Sequence, residues 1–324
     1  MKTATIAAPA ESAANEFLTA KTADVSPRPA AVPTVSRPGV VADFADLVKA
    51  RLTTLVLATT LTGFYLGWNG GDVPFWLAAI NALLGTALVA AGSAALNQLL
   101  ERELDARMRR TLDRPLPAGR LRPDHALLIG FALALGGLLY LAFLVNLLTA
   151  MLAALTLGIY LFVYTPLKRI TTLNTLVGAI PGALPPLLGW TAARGALGAG
   201  GWALFGILFF WQMPHFLAIA WMYRDDYARG GFVMLPNVDP DGRRTGWQSV
   251  NYSFGLLLVS LMPTLLGLNT AVYFFGALAL GAGMIFYSLR LLRDRTRPHA
   301  RQLFLASVIY LPLLLILLAA TKAT

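Results

Sequence analysis

The stretch "LNQLLERELDARMRRTLDRPLPAGR", Leu96–Arg120, carries ten charged side chains in 25 residues, in a chain whose overall charged fraction is 13%. It follows directly on an apolar run that begins near residue 75. Runs of about 20 apolar residues are long enough to cross a bilayer as helix. A stretch that passes from such a run into dense charge reads as a helix leaving the membrane with its polar end in water.

The same alternation continues along the chain. Nine apolar runs are predicted as membrane helices, at roughly 48–68, 75–100, 125–144, 147–167, 173–190, 202–223, 247–268, 270–290 and 302–321. Hydrophobic residues make up 57% of the 324, and the mean hydropathy is +0.64. A soluble domain carries about 25% charged residues, so the fold class is an all-α integral membrane protein. Prolines inside "GAIPGALPPLLGW" do not exclude a membrane helix, because neighbouring helices supply the missing hydrogen bonds.

Of the 26 Lys and Arg, 24 fall in the N-terminal segment or in alternate connections, leaving Arg194 and Lys322 on the other side. The positive-inside rule then puts the N-terminus in the cytoplasm and the C-terminus outside. The net charge of +10 is accounted for by topology and is not a nucleic-acid footprint. Residues 1–40 are rich in Ala, Pro, Thr and Ser and read as a disordered cytoplasmic tail; residues 41–324 form the polytopic domain. The tail has no apolar core of a signal peptide. Its acids Glu11, Glu16 and Asp24 argue against a mitochondrial transit peptide and for a bacterial inner membrane.

Acids are the more informative charges, because topology does not require them. Eight of the 16 fall in two clusters, residues 101–113 and 225–241, each just after a span on the same side. Asn97, Glu101 and Asp105 are spaced i, i+4, i+8, one stripe of a helix about 12 Å long. All three offer hard oxygen atoms, the ligands of Mg²⁺, which binds by one or two carboxylates together with substrate phosphates. Arg102, Arg109, Arg110 and Arg114 follow at once. Carboxylates alone repel a phosphorylated substrate and arginines alone need no metal; the mixture suits a metal-bound diphosphate. The bland alternative is an amphipathic helix laced by pairs such as Glu103–Arg107.

The second cluster lies in "WQMPHFLAIAWMYRDDYARGGFVMLPNV", Trp211–Val238, where Asp225 and Asp226 offer a second metal site. In "YTPLKRIT", Tyr164 and Lys168 are i, i+4, and Lys168 and Arg169 can grip phosphate oxygens. Lys49 and Arg51 add cations at the start of the first span. His215 is an ionisable residue inside a span, a functional candidate whose plain alternative is a histidine bonded to a carbonyl freed by Pro214. With no cysteine and three histidines, thiolate chemistry and His-rich metal sites are excluded.

These stretches resemble the UbiA-type intramembrane prenyltransferases, and within them the protohaem IX farnesyltransferase (haem O synthase) branch. "NQLLERELDARMRRTLDRPLPAGR", "YTPLKRIT", "GAIPGALPPLLGW", "WQMPHFLAIAW", "DDYARGGFVMLP" and "ARQLFLASVIYLPLLL" carry the resemblance over about residues 45–320. It implies nine transmembrane helices around a central cavity open to the cytoplasmic side and the lipid. It implies Mg²⁺ as cofactor, farnesyl diphosphate and protohaem IX as substrates, and haem O and diphosphate as products. Carried over, the family's first acidic motif falls on Asn97, Glu101 and Asp105, its second on Asp225 and Asp226, and its Tyr/Lys pair on Tyr164 and Lys168. Read from the residues themselves and not carried over, the diphosphate is expected to meet Lys49, Arg51, Arg102, Arg109, Arg110, Arg114, Lys168 and Arg169. His215, about 15 Å deeper along its helix than Asp225 and Asp226, is expected to contact the haem. Glu101 and Glu103 stand where the family often has Asp, and Ala50 where it usually has Pro. A haem A synthase or a terminal-oxidase assembly factor is the expected partner, besides the lipid bilayer. The rivals are a prenyltransferase with a quinone-precursor or chlorophyllide acceptor, a non-catalytic haem chaperone, and an ion-coupled transporter. The transporter would hold its acids near the midplane, not at helix ends.

Overall fold

A computed structural model describes residues 39–323, and the tail expected over residues 1–40 lies, through Pro38, outside them. Among the described residues the fold is helical, with one isolated bridge between Asn269 and Lys322. A short helix α1, Val40–Leu47, precedes α2, Ala50–Gly67. Then come α3 (Phe75–Asp105), α4 (Pro123–Leu144), α5 (Leu147–Leu167), α6 (Asn174–Arg194) and α7 (Ala199–Met222). A single turn and a half, α8 (Arg224–Arg229), separates α7 from α9 (Arg243–Leu265), α10 (Ala271–Asp294) and α11 (Arg297–Ala320).

Seven of these helices, α3 to α7, α10 and α11, are long and apolar enough to cross a membrane. The other two long ones are more polar. Helix α2 carries Arg51 and five threonines, and α9 opens on Arg243-Arg244-Thr245. The predicted apolar runs each coincide with one of the nine long helices.

Association of such helices depends on close packing and on interhelical hydrogen bonds. Helices α3 and α4 meet where a methyl at Gly92 would strike the backbone of Gly130 and Ala134. Helices α2 and α6 meet where a methyl at Gly63 would strike the Pro186 carbonyl. The largest core cluster joins α6, α7, α9, α10 and α11 through Trp190, Leu204, Trp211, Leu256, Tyr273 and Leu303. Polar side chains pair across it: Ser260 with Tyr310 at 2.7 Å, and Ser253 with Ser288 at 2.8 Å.

Three local features position the site. At 31 residues, α3 is roughly 46 Å long, well beyond the ~30 Å hydrocarbon thickness, so its last turns project from the apolar belt. Helix α5 contains a π turn at Ile159–Tyr164; such turns are rare and concentrate at functional sites. Between α1 and α2, Lys49 adopts a left-handed backbone with φ of 48°, a conformation that L-residues other than Asn and Asp seldom occupy. Helix α1 was not legible as an element in the sequence; Gln98 of α3 holds its end by donating to the carbonyls of Asp46 and Leu47 at 2.6 and 2.9 Å.

Candidate functional site

The i, i+4, i+8 stripe is present and faces inward. Asn97, Glu101 and Asp105 are 0%, 5% and 1% exposed, although α3 has left the apolar belt there. A buried carboxylate is tolerated only when paired, and each member of the stripe meets a cation from a different segment. Lys49 Nζ donates to Asn97 Oδ1 at 2.7 Å. Lys168 Nζ meets Glu101 Oε1 at 2.7 Å. Arg114 Nη1 meets Asp105 Oδ2 at 2.6 Å.

The π turn supplies the next layer. Tyr160 hydroxyl donates to Asn97 Oδ1 at 3.1 Å and stacks on Tyr164, with ring centroids 5.7 Å apart. Asn97 Nδ2 donates to Thr165 Oγ1 at 3.1 Å, so the amide orientation is fixed from both ends. Lys168 Nζ lies 4.4 Å from the Tyr164 ring centroid, within cation–π range. Its backbone carbonyl accepts from the N–H of Val233 at 2.7 Å, and Asn174 Nδ2 donates to the Val233 carbonyl at 2.7 Å. The Gly230-Gly231 loop is thereby tied to α5 and α6. Gly231 has φ of +74°, which explains a glycine at that turn.

Asp226 joins the two acidic clusters. Its carboxylate accepts from the backbone N–H groups of Arg109 and Arg110 at 3.2 and 3.3 Å and pairs with Arg229. Burial works against the charge. The Arg229 guanidinium and the two N–H groups outweigh it and hold the carboxyl below the usual carboxylate range. Arg110 stands over the rings of Tyr223 and Tyr227, at 5.8 and 5.6 Å.

The structure thus gathers Asn97, Glu101, Asp105, Lys49, Lys168 and Arg114, with Tyr164 beside them and Asp226 holding the Arg109–Arg110 loop. Other expected members point elsewhere. Asp225 is 60% exposed and pairs with Arg297 of α11 at 2.6 Å, on the side of α8 away from Asp226. Arg102 pairs outward with Glu103 at 3.7 Å. Arg51 and Arg169 are exposed, with no side-chain partner among the described residues. His215 sits in α7 against α11 and makes no hydrogen bond to the stripe, its Nδ1 2.8 Å from Ser307 Oγ. The bond goes to a neighbouring helix and not to a carbonyl freed by Pro214. Tyr160, Thr165 and Arg229 were not singled out from sequence; the spacing of Tyr160 from Tyr164 and Lys168, again i, i+4, i+8, is the signal that points to the first.

Among the described residues no three His, Cys, Asp or Glu side chains are already arranged around a metal. The donor set nevertheless fits a hard divalent ion. Asn97, Glu101 and Asp105 present oxygen atoms along one buried line, and each already binds a positive group. The same cations, Lys49, Lys168 and Arg114, are the groups that bind phosphate oxygens.

A family model for the UbiA prenyltransferase family matches residues 56–314. The chain is 48% identical over 299 residues to a protohaem IX farnesyltransferase of Koribacter versatilis, covering 89% of this chain and 95% of that one. It is 47% identical over 281 residues to one of Solibacter usitatus, covering 84% and 96%. A solved UbiA homologue of Archaeoglobus fulgidus bound to DMAPP and Mg²⁺ shares the fold, with a TM-score of 0.62 at 18% identity, covering 86% of this chain and 99% of that one. An inward stripe of oxygen donors faced by phosphate-binding cations, on a frame of membrane-length helices, is in keeping with these matches, and the chain belongs to the UbiA prenyltransferase family and, within it, to the protohaem IX farnesyltransferases.

Proposed function

We propose that the chain transfers the farnesyl group of farnesyl diphosphate to a vinyl group of protohaem IX and, with addition of water, releases haem O and diphosphate. The observation that carries the chemistry is the stripe in which Asn97, Glu101 and Asp105 each hold one cation, Lys49, Lys168 and Arg114. Identity near 48% with protohaem IX farnesyltransferases over almost their whole length supports the acceptor.

Asn97, Glu101, Asp105 and Asp226 are the residues that would hold Mg²⁺, with Asp225 beside them in sequence but turned toward Arg297. When bound, Mg²⁺ supplies neutralisation of the diphosphate leaving group. The chain's own cations do the same work: Lys49, Lys168 and Arg114 donate to diphosphate oxygens as the C1–O bond of the allylic ester breaks and its electron pair leaves with the diphosphate. The stacked Tyr160 and Tyr164 rings present π faces to the farnesyl cation. The vinyl π electrons then form the new bond to C1, and the charge passes to the vinyl carbon next to the macrocycle. Water bonds to that carbon and loses a proton, which completes the hydroxyethylfarnesyl group. Apolar helix walls keep water from the cation until the carbon–carbon bond has formed. His215 is the proposed haem contact.

The nine long helices, α2 to α7 and α9 to α11, are proposed as the nine spans, around a cavity open to the cytoplasm and the lipid. The N-terminus is then cytoplasmic and the C-terminus outside, in a bacterial inner membrane, where a haem A synthase or oxidase assembly factor would take the product.

The test is to express the chain in a bacterium lacking its own haem O synthase, extract the haems and separate them by chromatography. Haem O is expected. Accumulation of a prenylated quinone precursor or chlorophyllide in place of haem O would transfer the activity to another acceptor. Purified protein stripped of divalent ions in excess EDTA is expected to lose turnover and regain it on addition of Mg²⁺. Undiminished turnover in EDTA would reject the metal site.

A further inference from the structure

The environment of His215 determines which of its nitrogens is able to bind a metal. Its Nδ1 lies 2.8 Å from Ser307 Oγ. The same Oγ lies 2.6 Å from the backbone carbonyl oxygen of Phe304. Two oxygens that close have a proton between them, and a serine hydroxyl carries one proton. Ser307 therefore donates to the Phe304 carbonyl, and its oxygen accepts from His215. The imidazole proton is on Nδ1. Nε2 is left with its lone pair, and among the described residues it has no hydrogen-bond partner.

The ring is held as well as polarised. It stacks on Trp211 with centroids 4.9 Å apart and planes 24° apart, and Phe304 lies 5.1 Å away. Trp211 Nε1 donates to the backbone carbonyl of Ser307 at 2.8 Å. The tryptophan that supports the imidazole thus also fixes the serine that orients it. Ser307 is fully buried, whereas His215 stays partly exposed. Helix α7 ends at Met222, so His215 lies seven residues, roughly 10 Å, inside the end of α7 that leads to Asp226.

A histidine that binds a metal through one nitrogen usually donates its other N–H to a fixed acceptor, which sets the tautomer, the ring direction and the basicity of the ligand. We propose that Nε2 of His215 is an axial ligand of the iron of the haem acceptor, and that Ser307 is the positioning residue that holds the Nδ1–H tautomer. This rests on the haem reading of the acceptor. Neutral imidazole is a common protein ligand of haem iron, and the chain has no cysteine to replace it.

The experiment titrates haem into the purified full-length chain and records the Soret band and the resonance Raman spectrum of the ferrous form, with farnesyl diphosphate affinity measured in parallel. The wild type is expected to show an iron–histidine stretching band. His215→Ala should lose the band and shift the Soret maximum, and added imidazole should restore both. Ser307→Ala removes a single buried oxygen. It should still bind farnesyl diphosphate, lower the band frequency and weaken haem binding by roughly 10–100-fold, the usual cost of removing a hydrogen-bond partner of a metal ligand. Ser307→Thr, which keeps the hydroxyl, should return the band toward its wild-type position. An unchanged spectrum in His215→Ala overturns the ligand. A wild-type band frequency and affinity in Ser307→Ala overturn the positioning role. A wild-type chain that binds farnesyl diphosphate and no haem overturns the acceptor reading, and the ligand with it.

Discussion

Asp105→Asn is expected to lower the rate of haem O formation by roughly 10²–10³-fold, the range seen when one preorganised electrostatic group is removed from an active site. The substitution keeps the shape of the side chain and takes away its charge. Asp105 is 1% exposed, so no water compensates, and Arg114, at 2.6 Å, loses its counter-charge. An amide oxygen in that place can still coordinate, as Asn97 would, but it brings no negative charge to a hard divalent ion. Glu103→Gln is the matched control on the same helix. Glu103 is 78% exposed and meets only Arg102 at 3.7 Å, a surface pair worth about 0–1 kcal/mol. Initial rates on membranes containing equal amounts of each variant decide the matter, and an Asp105→Asn rate within threefold of wild type would remove Asp105 from the site.

Two adjacent aspartates should give opposite results. Asp226→Ala is expected to abolish haem O formation and to make the segment after Asp105 susceptible to protease, because Arg109 and Arg110 lose the acceptor of their backbone N–H groups and Arg229 loses its partner. These bonds are only partly buried and Arg109 and Arg110 are exposed residues, so each lost bond costs about 0.5–1.5 kcal/mol. Asp225→Ala is expected to keep nearly normal activity, since its carboxylate is 60% exposed and pairs with Arg297 at the surface. Limited proteolysis and haem extraction on the two variants side by side provide the measurement. Equal loss in both would mean that the pair acts jointly on the metal, as the sequence alone suggests.

That contrast shows where the sequence stops being readable. The long helices were legible because a bilayer demands apolar runs of nearly fixed length, and each predicted run falls on one helix. The stripe was legible because Asn97, Glu101 and Asp105 repeat at helical spacing and α3 is regular there. Asp225 and Asp226 look alike in sequence, and only the short α8 turns them to different sides, neighbouring residues on a helix being about 100° apart. Tyr160 escaped notice because its partner, Asn97, is on another helix. Ser307 lies in an apolar run and carries no signal at all; its role depends on the one turn of α11 that faces His215.

The π turn at Ile159–Tyr164 has a consequence for changes in chain length. A π turn closes its hydrogen bond one residue later than an α turn, so it holds one residue more over the same rise. Removing one outward residue there, such as Phe162, which is 76% exposed, is expected to return the segment to α geometry and to keep Lys168 paired with Glu101. Helix α3 has no such slack. Losing one residue between Asn97 and Asp105 turns everything beyond it by about 100° and separates Asp105 from Asn97's face. The two walls of one site therefore differ in how they age under insertion and deletion: one absorbs a lost codon, and the other is broken by it.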